Sequence, residues 1–438
     1  LSQSLDEQAR ETGTRFLVYP QNKRLKGFEH AEVVYINIPL GSIQAGPEDE
    51  RMYVVDAKDK RHYQFEGEGP PYSGLRFPPV QPNREGHFDH IQPNTREFSS
   101  TVMYATVRRV LDIWEDYFEQ PIQWFFHRSF NKLELIPLVE WDNAQSGYGF
   151  LEFGYGRNLD GSIDHSNPHC ENFDVLAHEI GHTIKNSIIG WPENQDTEEY
   201  HGHHEAFGDL VAIVSVLHFD SVINHVLHNT KGNLFSINEL SRMGELSDSR
   251  QIRLAFNDMK MSDVKPVFDE TLGKWVKKPH NLSQPFTGGA FDVLVEVFQQ
   301  NLIERNLITP ELGHQAYHAL PNDVESIQAM FTRSYQGNED HFKAALLDAR
   351  DYFGRLMARA WTKTLPNDLH YWKVMNDMIN ADKELSNGKY ESIIRSCFDW
   401  REIIANETDR PLLKTHIVDE LAIPSVNNAQ GVLTGHIQ

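Results

Sequence analysis

Two histidines four residues apart are the first residues in this chain whose types and spacing suit a reaction: His178 and His182, in Asp174-Val175-Leu176-Ala177-His178-Glu179-Ile180-Gly181-His182-Thr183. On a helix, positions i and i+4 stand one turn apart on the same face, so both imidazoles can reach one ion. Glu179 lies about 100° around the helix from His178, beside such an ion rather than on it, where a base for metal-activated water is needed. The plain alternative, in a chain with 22 histidines, is a pair of surface side chains on an ordinary helix. Leu176, Ala177, Ile180 and Gly181 weigh against it, because they make the helix apolar and buried, where unpaired polar groups are costly.

A catalytic zinc takes three protein ligands and keeps one position open, so a third ligand must come from elsewhere. Downstream, Tyr200-His201-Gly202-His203-His204-Glu205-Ala206-Phe207-Gly208-Asp209 places Glu205 and Asp209 one turn apart on an apolar helix. One of them can bind the metal while the other supports a ligand histidine. His201, His203 and His204 compete for the ligand role, but they read better as loop and helix-start polarity, with His204 in reach of a ligand side chain.

These segments together resemble the thermolysin-like zinc metallopeptidases, a family with a glutamate on a second helix as third zinc ligand. Asp174 to His182 is similar to the family's zinc helix, Glu205 to Asp209 to its glutamate helix, and Asn143-Ala144 stands at the position of its substrate-binding edge strand. The resemblance covers residues 96 to 300 in patches, including the segment Lys260 to Asp263. It implies a two-lobed α+β fold with the metal site in the cleft between lobes. It also implies one zinc ion per chain held by His178, His182 and Glu205, with Asp209 supporting a ligand. Hydrolysis would proceed through a zinc-bound water with Glu179 as general base, on a peptide or protein substrate held by the Asn143 side chain and the Ala144 backbone. The tetrahedral oxyanion needs a donor, for which His280 is the first candidate and Tyr200 the second. Three departures stand out: a longer loop between the metal helices, no paired-calcium carboxylates beyond Asp174, and a spacing of nine residues from His280 to Gly289. They motivate two other readings, a metal-stabilised binding protein without useful catalysis and a zinc hydrolase of another amide or ester.

The elements that must position these residues show in the hydrophobic pattern. Residues 1 to 95 carry short apolar runs, Phe16 to Tyr19, Val33 to Ile36 and Met52 to Val55, between Gly and Pro clusters, and read as β structure. Thr95 signals a helix start, and the spacing of Met103, Val107, Val110, Trp114 and Tyr117 predicts an amphipathic helix over 96–119, stopped by Pro121. Strands are expected from 123 to 153, then helices over 173–187, 203–218, 289–303 and 340–363. This layout gives an N-terminal β-rich region over 1–95, a β/α lobe over 96–190 with the edge strand and zinc helix, and a mainly helical lobe over 191–438.

Composition narrows the partners. With 63 acidic against 41 basic residues, the formal charge of −22 repels phosphate backbones and anionic lipid, so neither nucleic acid nor a membrane surface is expected. No run of eighteen apolar residues is present. Two cysteines, Cys170 and Cys397, are too few for a disulfide framework or a thiolate metal site. The first thirty residues lack the sections of a signal peptide, while a start at Leu1 and sequons at Asn281 and Asn406 leave the compartment open. Oligomeric state is equally open.

Overall fold

The computed structural model describes residues 5–64, 67–236, 242–243 and 253–404; the sequon at Asn406 lies outside them. The chain is an α+β protein whose strands concentrate before residue 168 and whose C-terminal part is helical. After a short helix α1 (Leu5–Thr12), β1 (Gly13–Val18) pairs antiparallel with β2 (Glu32–Pro39). A four-stranded sheet follows, in the order β3-β4-β6-β5, from β3 (Met52–Val54), β4 (Leu133–Ile136), β5 (Ala144–Gly147) and β6 (Phe150–Phe153). The β3–β4 and β4–β6 pairs are parallel, and β5 closes the sheet antiparallel to β6, with Ala144 opposite Phe153. Thus β5 is an edge strand. Two more strands, β7 (Tyr155–Arg157) and β8 (Ile163–Pro168), form a hairpin leading to the first metal helix.

The sheet is held beneath the edge strand by buried charge. Glu152, on β6, accepts from Lys60 Nζ at 2.6 Å, Tyr63 N at 2.6 Å and Gln145 Nε2, on β5, at 2.5 Å. A buried carboxylate is tolerated only when paired in this way. Gly154, just after β6, is fixed by space: a Cβ there would lie 2.0 Å from the Trp141 carbonyl oxygen, and its N–H donates to Asn143 O at 2.8 Å.

Helix α2 (Arg96–Phe118) begins where Thr95 caps it, its hydroxyl accepting from Phe98 N, and ends at Glu119 in the left-handed conformation. The expected amphipathic face proves too narrow. Ser99, Ser100, Thr101, Arg108 and Arg109 are buried along with the apolar stripe, because α2 packs on β1 and also on α3 (Phe173–Ile188) and α9 (Glu339–Lys363). Between these come α4 (Glu198–Val216), α5 (Asp220–Thr230), α6 (Pro279–Glu304), α7 (Pro310–Tyr317) and α8 (Val324–Tyr335), and after them α10 (Tyr371–Ser386) and α11 (Glu391–Asp399). One buried apolar cluster runs from Phe16 through α2, α3, α4, α6 and α9 to Ile403. No single helix among the described residues is long and apolar enough to cross a membrane.

The helix expected over 289–303 starts ten residues earlier, with Pro279 in its first turn. Thr287-Gly288-Gly289 is therefore mid-helix, not a helix start, and His280 is helical, not in a loop. The glycines answer to packing: a Cβ at Gly288 would sit 2.4 Å from Arg401 Nη1, and one at Gly289 2.7 Å from the Phe398 ring. Likewise α4 starts at Glu198, five residues before its expected start, because Thr197 caps it by accepting from Tyr200 N at 3.0 Å.

Candidate metal centre

Two crossing helices build the centre. Asn172 caps α3 by accepting from Asp174 N at 3.2 Å, and Val175, Leu176, Ile180 and Ile184 bury the helix against the core. It meets α4 at two glycines. A Cβ on Gly181 would lie 2.9 Å from Gly208 Cα, and one on Gly208 2.7 Å from His178 Nδ1. Only backbone fits between the helices at this crossing, which brings the carboxylates of α4 against the imidazoles of α3.

His178 Nδ1 stands 2.9 Å from Asp209 Oδ1, and its Nε2 stands 3.3 Å from Glu205 Oε2. The ring centroids of His178 and His182 are 4.4 Å apart. Ligand atoms of His178, Glu179 and His182 all lie within 4.8 Å of one another, with both histidines buried and Glu179 half-buried. Imidazole nitrogens backed by carboxylates, one histidine fixed through its other nitrogen by Asp209, are the donors a borderline divalent metal prefers. The group can hold a metal ion.

From α6, His280 Nε2 reaches 3.2 Å from Glu205 Oε2. Burial alone would raise the Glu205 carboxyl, but His280 and His178 outweigh it and hold the group well below the usual carboxylate range. Tyr200, by contrast, is buried and donates its hydroxyl to Gly190 O at 2.8 Å. Among the other histidines of this segment, His201 faces solvent beside Asp196 at 2.9 Å, and His203 is enclosed by Phe207, Phe286 and Trp361, where burial lowers it to about 3. His204 lies flat on His182, with centroids 3.9 Å apart and planes 6° from parallel. It supports a candidate ligand ring by stacking.

The edge strand β5 packs against α3. Asn143 Oδ1 accepts from the Ala144 N–H at 2.9 Å, while the Asn143 carbonyl takes the Gly154 N–H. The Asn143 side chain is thus used locally to start the strand.

No family model matches the sequence, and no curated relative does. Among solved structures, the chain is similar to the precursor of protealysin, a metalloproteinase from Serratia proteamaculans, with 13% identity and a TM-score of 0.41 over 84% of this chain and 91% of that one.

One residue near the centre escaped the sequence reading, and the tryptophan of the longer loop between the metal helices had no role assigned to it. Lys185 lies seven residues after His178, hence on the same stripe of α3, and is fully buried. The i, i+4, i+7 pattern was visible, but a lysine in it reads as solvent-facing until the loop over it is known. Trp191, in that loop, is 56% exposed and its ring stands 6.2 Å from His204.

Proposed function

We propose that this chain is a zinc-dependent peptidase of the thermolysin-like kind, with His178, His182 and Glu205 as ligands. The reading rests on one observation: His178 and His182 come together on α3, and His178 meets Glu205 from α4 through Nε2 while Asp209 holds its Nδ1. Bound zinc supplies the Lewis acidity that makes water a nucleophile near neutral pH.

The chain's own residues do the rest. Glu179 is half-buried beside the histidine pair, where it accepts the proton of the attacking water and returns it to the leaving amine. His280 Nε2 stands at the edge of the centre beside Glu205 Oε2; with Glu205 turned to a metal, that nitrogen would become the donor that a developing oxyanion requires. Tyr200 has its hydroxyl engaged by Gly190, so its part is structural. The exposed side of β5, starting at Ala144, is where an extended substrate adds as a further strand.

The experiment is elemental analysis of protein purified without added metal, joined to cleavage of a quenched peptide. One zinc per chain, lost on alanine substitution at His178, His182 or Glu205, is expected together with turnover. Full zinc with no turnover on casein or peptide pools would make the chain a binding protein instead.

A further inference from the structure

Lys185 is a buried amine without a hydrogen-bond acceptor. Among the described residues its Nζ has no hydrogen-bond partner; the Tyr200 ring lies 3.4 Å from Nζ to centroid and the Trp191 ring 5.9 Å. The nearby carboxylates have other partners: Asp196 pairs with His201, and Glu205 with His178 and His280. A ring face offsets part of the cost of burying an ammonium, but an acceptor is what such a group lacks. Burial accordingly pushes Lys185 well below the ordinary lysine range, against the pull of Asp196 and Glu205.

Its place in the fold says what would supply that acceptor. Lys185 follows His182 by three residues, about 4.5 Å along the helix axis, and an extended peptide advances roughly 3.3 Å per residue. Lys185 also feels the charge of Glu205, so a carboxylate meeting it would belong to a substrate residue near the bond at the metal centre. From the loop after α3, Trp191 lies 5.9 Å from the amine and is 56% exposed, and the preceding Gly190 has φ +83°.

We propose that Lys185 is a specificity residue that binds a carboxylate of the peptide substrate beneath Trp191 and Tyr200, so that the enzyme prefers acidic peptides. The proposal rests on the peptidase reading above. Two sources share this chemistry, an aspartate or glutamate side chain and the C-terminal carboxylate of a short peptide.

The test is calorimetric binding to the zinc-loaded Glu179→Gln protein, in which turnover is blocked. Three short peptides are compared: one with glutamate beside the scissile position and blocked ends, its glutamine counterpart, and the glutamine peptide with a free C-terminus. A charge-assisted hydrogen bond should favour the acidic member by roughly tenfold to hundredfold. Preference for the first peptide assigns the side chain, and preference for the third assigns the terminus. In the Lys185→Met background the preference should vanish, and Lys185→Arg should restore part of it. The parent comparison stands even if Lys185→Met folds poorly. Equal binding of all three peptides overturns this proposal alone, as does a preference that survives in Lys185→Met. No binding of any peptide overturns the peptidase reading and this proposal together.

Discussion

At the scale of single residues, the chemistry turns on which nitrogen of His178 faces what. Asp209 takes Nδ1, which leaves Nε2 for the centre and fixes the ring's orientation. Asp209→Ala should therefore weaken zinc binding by about tenfold to hundredfold while leaving the ligand residues in place, readable by competition with a chromogenic chelator. Zinc affinity equal to wild type would remove Asp209 from the support of the centre. Glu179→Gln separates base from ligand: zinc content should stay at one per chain while kcat falls by about 10² to 10⁴. A variant within threefold of wild type would show another group to be the base. His280→Ala should lower kcat by about 10² to 10³ with little change in KM, whereas Tyr200→Phe should cost stability through the lost bond to Gly190. Normal kinetics in His280→Ala would leave its contact with Glu205 as a structural one.

At the scale of elements, the crossing of α3 and α4 sets the centre's geometry, and it tolerates only glycine. Gly208→Ala puts a methyl 2.7 Å from His178 Nδ1, a ring already held between Asp209 and Glu205. The expected outcome is a loss of about 1–3 kcal/mol in stability with zinc affinity reduced in the same variant; unchanged melting and metal content would mean that the helices can part at no cost. The helices themselves were legible from the sequence, since the periodicity of Val175, Leu176, Ile180 and Ile184 and the cap at Thr95 are local signals. What escaped was decided by distant packing. Gly288 and Gly289 read as a helix start but accommodate Arg401 and Phe398, which are more than a hundred residues away in the chain. That misplacement put His280 in a loop, whereas it stands in the first turn of α6, 3.2 Å from Glu205. The role of Lys185 was hidden for the same reason, because nothing local announces the loop that buries it.

At the scale of the whole molecule, α6 carries a second set of buried charges farther along from His280. Arg401 donates to Asp292 Oδ2 at 2.9 Å and to the Asn257 carbonyl at 2.6 Å, tying α6 and the 255–263 segment to the end of α11. One turn past Asp292, Glu296 has no such cation among the described residues: burial first, and Asp292 second, push its carboxyl up to about 7. Glu296 thus holds its proton more tightly in the folded than in the unfolded protein. The stability it contributes is complete below its ordinary value near 4.5 and is lost as pH rises through about 7. Glu296→Gln should accordingly be more stable than wild type at pH 8, by about 1–3 kcal/mol, and no more stable at pH 4, as denaturant titrations at the two pH values would show. An equal effect at both would point to packing. The acidic excess of the composition thus has one cost inside the fold.

The tie between Arg401 and α6 also orders events in time. Every residue proposed for the centre, from His178 to His280, leaves the ribosome before Arg401, which follows about 120 residues later. At about 5–20 residues per second that interval is on the order of ten seconds. Until it ends, Asp292 and Asn257 have no guanidinium and α6 has no Phe398 to close against. On the reading proposed above, the donor that His280 would supply from α6 is seated only after Phe398 and Arg401 have been made.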